Sequence, residues 1–256
     1  KGFNANRLAD RARRLAGNMA VLEIAAPTAV ERRELRQRAT NAIYSCQAAY
    51  KYGVLPGGGA AFLRARAALD ALDVAGDIAI GVDIVRRSVV YPLAQIVNNA
   101  GGNGQQAVEE LGELDDPSIG FNALTRQYEN LIEAGILDPL AVIQSSLRSA
   151  AGAAIEILTT ETAVKYIPEQ RDTVAQAETE KDHSLSRTHY QTTILFGEHG
   201  RDALRRGANT LAEVVKTTHG PRGLNVMIAR YSLTGARTPA VSRDGAAGAR
   251  EIQLPH

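Results

Sequence analysis

Between Pro168 and Thr192 the chain offers almost nothing to bury. Val174 and Leu185 are the only larger aliphatic side chains there. They sit among Glu169, Asp172, Glu178, Glu180 and Asp182 and the bases Arg171, Lys181 and Arg187. So little apolar surface cannot offset the entropy of ordering the segment, and 168–192 reads as a linker or disordered tail. The fold must therefore be assembled from a long first block and a short second one joined by a tether.

The first block is Ala-rich and helical in pattern. Over Glu31–Tyr50 the positions Leu35, Ala39, Ile43, Cys46 and Tyr50 recur every three or four residues, which predicts a helix with one buried stripe. Thr28 followed by Glu31 has capping-box spacing. Gly76–Asn98 is apolar around most of its circumference and predicts a central helix kinked by Pro92. Leu140–Leu158 repeats the stripe through Leu140, Ile143, Leu147, Ala151, Ala154 and Leu158, with Asp138–Pro139 read as an N-cap followed by Pro at the first helical position. In the second block a helix is expected over Arg201–Thr217. The candidate strands are Met19–Ala25, Val164–Ile167, Thr193–Phe196 and Asn225–Ala229.

Charge and cysteine content narrow the function. With 29 Lys plus Arg against 28 Asp plus Glu, the net charge of +1 argues against a dedicated nucleic-acid surface. Cys46 is the single cysteine, so neither an internal disulfide nor a cysteine-based zinc site can form. No apolar run reaches the roughly 18 residues of a membrane span. A reducing, cytoplasm-like setting is the expectation.

Four glycine-marked segments lie beside helical patterns. Val54–Ala60 (VLPGGGA) lets another chain or a ligand approach closely and precedes a helix N-terminus that attracts phosphate, though a packing turn is the commoner use. No Gly-Lys-Ser/Thr follows, so it is not a Walker loop. Lys216–Asn225 (KTTHGPRGLN) ends a helix in a Gly-Pro turn. Ser242–Arg250 (SRDGAAGAR) leads from Asp244 into a helix start, with Asp244 either a plain N-cap or a residue that places a metal or a water. Gly120–Thr125 and Gly135–Pro139 bring Asn122 and Asp138, each of which reads as a helix cap or as a contact to a base or ribose.

The order and spacing of these blocks carry a resemblance. Gly53–Gly59, Gly120–Ala123, Ala134–Pro139 (AGILDP) and Ala154–Ala163 (AIEILTTETA) resemble the last third of group I chaperonins, the GroEL type. Arg7–Val21 resembles the helix and glycine hinge that descend from the apical domain of that family. Phe196–Leu254 resembles the family's beginning, with FGEHGRDALRRGANTLAEVVKTTHGPRGLNV followed by SRDGAAGAREIQL. The part that ends a chaperonin thus comes first here. A circular permutant, the junction of two tandem copies and a reassembled fragment all fit that order, and about 25 flexible residues reach roughly 25–30 Å, enough to join neighbouring termini.

The resemblance implies a mainly α fold, a helical bundle like the chaperonin equatorial domain with a small β-sheet and stem loop. Residues 1–50 would be an intermediate-domain-like strip and helix entering the equatorial domain. Residues 51–167 would be its C-terminal half, 168–192 a flexible linker and 193–256 its N-terminal part. It implies a nucleotide site for ATP with Mg²⁺ and K⁺. Thr218, His219, Gly220 and Pro221 match the phosphate and adenine turn, with His219 in place of a Leu. Gly58 matches the glycine under the nucleotide, and Asn122, Ala123, Leu124 and Asp138 match the base and ribose positions. Arg243 stands where the family has Lys, and Asp244 matches a catalytic-site aspartate.

Two departures bear on turnover. The family's second catalytic carboxylate falls at Asn41, whose neutral amide cannot accept a proton; loss of a general base typically costs about 10²–10⁴ in rate. The family's Asp-Gly-Thr-Thr-Thr phosphate loop does not occur in this sequence. The apical domain that holds unfolded clients and the co-chaperonin is likewise not represented. The resemblance implies a homo-oligomeric ring in which Asn225–Val241 pairs with the strands Val164–Ile167 and Thr193–Phe196 of a neighbour. The expected function is that of a chaperonin subunit or fragment assisting protein folding with ATP; the alternative is a non-catalytic scaffold that assembles or binds without turnover.

Overall fold

The computed structural model describes residues 8, 11–12, 17, 20–168, 190–232 and 235–252. The expected linker falls almost wholly outside these residues. Two compact units divide between Asn41 and Ala42.

Helix α1 (Ala29–Tyr52) starts where the capping box places it. Glu31 N donates to Thr28 Oγ1 at 3.2 Å, and Thr28 N donates back to Glu31 Oε2 at 3.2 Å. Its apolar stripe is not buried, contrary to expectation: no residue of the helix is buried, and Ile43, Tyr44 and Tyr50 face solvent. Periodicity predicts which face is apolar; only a packed neighbour removes that face from water. Residues 20–26 form no strand, so the reading of Met19–Ala25 as β-structure fails over its described part.

The second unit holds a short strand β1 (Val54–Pro56), helices α2 (Ala60–Asp70), α3 (Asp77–Ser88), α4 (Tyr91–Asn99) and α5 (Gly104–Gly112), and strands β2 (Ile119–Asn122), β3 (Gln127–Asn130) and β4 (Leu137–Pro139). Helix α6 (Leu140–Thr159) and strand β5 (Thr162–Pro168) follow. After the undescribed stretch come strand β6 (Tyr190–Phe196), helix α7 (Gly197–Thr217), the hairpin strands β7 (Val226–Ser232) and β8 (Gly235–Ser242), and a last short helix α8 (Gly245–Glu251). The architecture is mainly helical and, among the described residues, has four two-stranded antiparallel pairs: β1 with β4, β2 with β3, β5 with β6, and β7 with β8. This is the fold class that the sequence implied.

The continuous central helix expected over Gly76–Asn98 is instead two. The break falls at Val89–Val90, and Pro92 sits in the first turn of α4, where its missing N–H costs no hydrogen bond. The halves differ in burial. Leu93, Ile96 and Val97 of α4 are core residues, whereas α3 buries none and leaves Ile78, Ile80 and Ile84 exposed.

The core gathers α2, α4, α5 and β2 around Leu93, Val97, Leu111 and Phe121. Glycines let the helices approach. A Cβ on Gly104 would stand 2.3 Å from Ala94 O, and one on Gly59 (φ 83°) 2.6 Å from Leu93 N. Arg64 fixes one corner: its guanidinium donates to the carbonyls of Leu111 (3.0 Å), Leu114 (2.7 Å), Asp116 (2.8 Å) and Ile119 (3.4 Å), satisfying the C-terminal end of α5 and the chain leading into β2.

Strands β5 and β6 pair in register from Thr162–Phe196 to Pro168–Tyr190, so the chain leaving the first block lies alongside the chain entering the second. Both strands extend beyond their predicted limits, into the ends of the stretch expected to be a linker.

Candidate functional site

The site is built around the turn that follows α7. Helix α7 ends at Thr217, and residues 218–223 fold back beneath it. Thr218 Oγ1 donates to Val215 O (2.8 Å) and the residue is buried, so this hydroxyl is engaged by its own helix. Gly223 is obligatory: a Cβ there would stand 2.3 Å from Thr218 O. Gly220 adopts φ 81° and packs on Ile96 of α4.

Three clamps hold the turn. Asn99, the last residue of α4, receives a hydrogen bond from Gln95 Nε2 (2.8 Å) and donates through Nδ2 to Lys216 O (2.9 Å) and His219 O (2.8 Å). Arg222 donates from Nε to Ala123 O (2.8 Å) and from Nη2 to Leu124 O (2.7 Å), tying the turn to residues 123–124. Arg243 donates from Nη2 to Pro221 O (2.5 Å). The Arg222 guanidinium thus grips two adjacent carbonyls that lie 99 and 98 residues before it in sequence.

Asn122 organises the turn whose carbonyls Arg222 grips. It is buried at the end of β2; its Oδ1 accepts from Leu124 N (2.9 Å) and Thr125 N (3.4 Å), while its Nδ2 donates to Glu129. This is an Asx turn closing the β2–β3 hairpin. The helix-cap reading of Asn122 fails because no helix follows it. Asp138 is no N-cap either: it pairs with Leu55 within β4, and Pro139 holds the N-cap position of α6. Pro139 can do so because its φ is fixed and no side-chain acceptor is needed when Leu140 N donates to Gly53 O (3.0 Å). Asp244, by contrast, caps α8 as read, its Oδ1 accepting from Ala246 N (2.9 Å) and Ala247 N (3.2 Å).

Asp138 and His219 sense each other electrostatically. Burial raises the Asp138 carboxyl above its ordinary value, with the imidazole pulling the other way. Burial also holds the His219 imidazole below its ordinary value, against the upward pull of the carboxylate. In both groups desolvation outweighs the attraction of the pair. His219 as a whole residue is nonetheless exposed, so the effect of burial on its ring is partial.

The sequence-implied residues are therefore linked through contacts rather than arrayed as the wall of one cavity. Gly58 packs beneath Phe121 O, next to Asn122; Thr218 packs on Gly245, next to Asp244. An open cleft of about 520 Å³ lies among them, and of those residues only Leu124, Pro221 and Arg243 line it. The other walls come from Asn99–Gly101, Arg126 and Arg222, which sequence reasoning missed. Arg222 was legible as the one charge inside the Gly-Pro turn. Arg126 and the end of α4 carry no local signal. Asn41 belongs to the first unit, where its Oδ1 accepts from Gln37 Nε2 (3.1 Å) one helical turn away.

Among the described residues no group of three His, Cys, Asp or Glu side chains is placed to hold a metal, and no helix is long and apolar enough to cross a membrane.

The family model of the TCP-1/cpn60 chaperonins matches residues 10–168. The chain belongs to that family. A group III chaperonin crystallised in the open state is 30% identical over 44% of this chain and 24% of its own, with a TM-score of 0.42. The open-state monomer of a group II chaperonin from Methanococcoides burtonii is 21% identical over 42% of this chain and 28% of its own, with a TM-score of 0.40. This chaperonin-family chain thus spans about a quarter of the length of the solved structures it is similar to. Chaperonins form oligomeric rings.

Proposed function

We propose that this chain is an equatorial-type part of a ring-forming chaperonin of the group I type, that its two blocks are joined in permuted order, and that the cleft beside the Thr218–Gly223 turn binds ATP. The observation that carries the nucleotide reading is the clamp itself: Arg222 ties the glycine turn to residues 123–124 while Arg243 holds Pro221 O, beside a cleft of about 520 Å³, within the about 300–1,000 Å³ of small-molecule sites. The pairing of β5 with β6 supports the permuted order, because it brings the end of one block to the start of the other.

The residues fit the anionic nucleotide better than its metals. Arg126, Arg222 and Arg243 line the cleft without a carboxylate among the lining residues. Mg²⁺ is usually held by one or two carboxylates together with substrate phosphates. Of the two matching carboxylates, Asp138 is matched to the base and ribose, and Asp244, matched to the catalytic site, has its Oδ1 engaged in capping α8. Mg²⁺ and K⁺ therefore rest on resemblance alone, and no step is routed through them. In this reading Leu124 and Pro221 offer apolar contact to a base, and the guanidiniums orient the phosphates.

Turnover is slow in this reading on the resemblance alone, because the family's second catalytic carboxylate falls at Asn41, whose amide cannot take up a proton. The same residue favours the second reading, a scaffold that binds and assembles without hydrolysis. Exposed apolar side chains on α3 and α6 support assembly with further subunits, and clients and a co-chaperonin would engage elsewhere in the assembled protein. The free, exposed Cys46 suits a reducing, cytoplasmic compartment.

Calorimetric titration with ATP tests the reading. The wild type is expected to bind, and Leu124→Glu, which puts an anion on an exposed position of the cleft, to weaken ATP by about tenfold or more. A wild type that gives no heat with ATP, or a variant that binds equally well, overturns the site. Phosphate release at the rate of an active ATPase would overturn the slow-turnover claim, and an Asn41→Asp variant of the assembled protein should release phosphate faster than its parent.

A further inference from the structure

Arg126 is in an uncomfortable conformation. It has φ 63°, and it is the one described non-glycine residue at positive φ. Its N–H donates to Asn122 O (2.7 Å), closing the turn that Asn122 organises. Glycine or asparagine would occupy this position at lower cost, and strain of this kind concentrates at functional sites. From here the side chain runs into the cleft and passes over Gly101, with Nη2 3.6 Å from the point where a Cβ on Gly101 would stand. Gly101 itself needs its left-handed φ of 82°, so the floor beneath the guanidinium is kept bare.

The charge around it is one-sided. Arg126, Arg222 and Arg243 all line the cleft, and among the described residues none of the three forms an ion pair with a carboxylate. Arg222 donates two N–H groups and Arg243 one to backbone carbonyls, out of the five that each guanidinium carries. Donors therefore remain on both, and Arg126 brings further donors to the same cleft. Three like charges around one opening repel one another, and a multivalent anion removes that cost while meeting the planar donor forks.

We propose that Arg126 is an anion-gripping residue: together with Arg222 and Arg243, it makes the cleft a site for a polyphosphate group, whether free or as the tail of a nucleotide. The proposal deepens the nucleotide reading, with which it shares Leu124, Pro221 and Arg243, but needs no base to be bound.

The test is calorimetric titration of the wild type, Arg126→Gly and Arg126→Lys with sodium tripolyphosphate and separately with ATP, at low and at moderate salt. Glycine relieves the positive φ, so Arg126→Gly should fold and melt no lower than the wild type. Tripolyphosphate should bind the wild type, weaken by about tenfold or more in Arg126→Gly, and recover in part in Arg126→Lys, with less salt dependence in the glycine variant. No tripolyphosphate binding by the wild type, or binding by Arg126→Gly within about twofold of it, overturns the proposal. Tripolyphosphate binding without ATP binding removes the nucleotide reading and leaves the role of Arg126 standing. ATP binding without tripolyphosphate binding does the reverse.

Discussion

Helices α3 and α4 are neighbours in sequence and both carry large aliphatic side chains, yet α4 is core and α3 surface. In α4, Leu93 is fully buried and lies against the backbone of Gly59, with Gly104 drawn up under Ala94. In α3, Ile78 and Ile80 are more than half exposed, and Ile84 nearly so. Their aliphatic content alone does not separate them, although α3 also carries Asp77, Asp83, Arg86 and Arg87 where α4 has no charge. What separates them is whether a glycine-bearing neighbour lets another backbone come within packing distance. An apolar face open to solvent is a candidate association surface.

The sharpest way to break that contrast is to truncate one side chain from each helix. Leu93→Ala should cost about 2–5 kcal/mol in urea-induced unfolding, from lost burial and the cavity left behind. Ile80→Ala should stay within about 0.5 kcal/mol. Equal losses would mean that α3 is packed in solution and that the contrast is wrong. A paired change on α3, Ile78→Ser with Ile84→Ser, should leave stability almost untouched and lower the mass measured by light scattering at the same concentration. An unchanged mass would remove α3 from any association surface.

Asn122→Ala carries the comparison into the site. It strips the Asx turn of its acceptor and leaves the Leu124 and Thr125 amides without their partner, a loss of about 1–3 kcal/mol. Because Arg222 anchors on the carbonyls of that same turn, ligand binding in the cleft should weaken with it. A full loss of stability with unaltered binding would show that the turn and the cleft are independent.

Elements whose signals are local could be read from the sequence. The Thr28–Glu31 box, the Asp244 cap and the spans of α6 and α7 depend on residues within a few positions of one another. The strands β1 to β4, three or four residues long, could not be read, because their pairing is decided by partners such as Val54 and Pro139, far apart in the chain. Burial failed for the same reason: the stripes on α1 and α6 are periodic but uncovered. Of the site, the segments that bear a motif were legible, since glycine turns have a sequence signature. Arg126 and Asn99 reach the cleft only through the folding of α4 and of the β2–β3 hairpin, and nothing near them in sequence announces it.

The smallest expected effect is also the most specific. His219 stands in the clamped turn facing Asp138, with its imidazole held below its ordinary value by desolvation and pulled back only in part by the carboxylate. Below the unfolded value the unfolded chain then binds more protons than the folded one, so stability falls as pH drops through that window and is regained as pH rises. Asp138 has the opposite sign: its carboxyl is raised, the folded state holds the extra proton, and stability falls as pH rises above the ordinary carboxylate value. His219→Leu should remove the first of these slopes. It should also push the Asp138 carboxyl further up, because the cation that favoured its charged form is gone. Thermal melts of the two proteins between pH 4 and 8 (roughly the span of both groups) should therefore diverge most below the ordinary histidine value, with the variant the more stable. Parallel curves across that range would mean that the His219 ring is solvated in the folded protein and that the 218–223 turn is looser than its clamps imply.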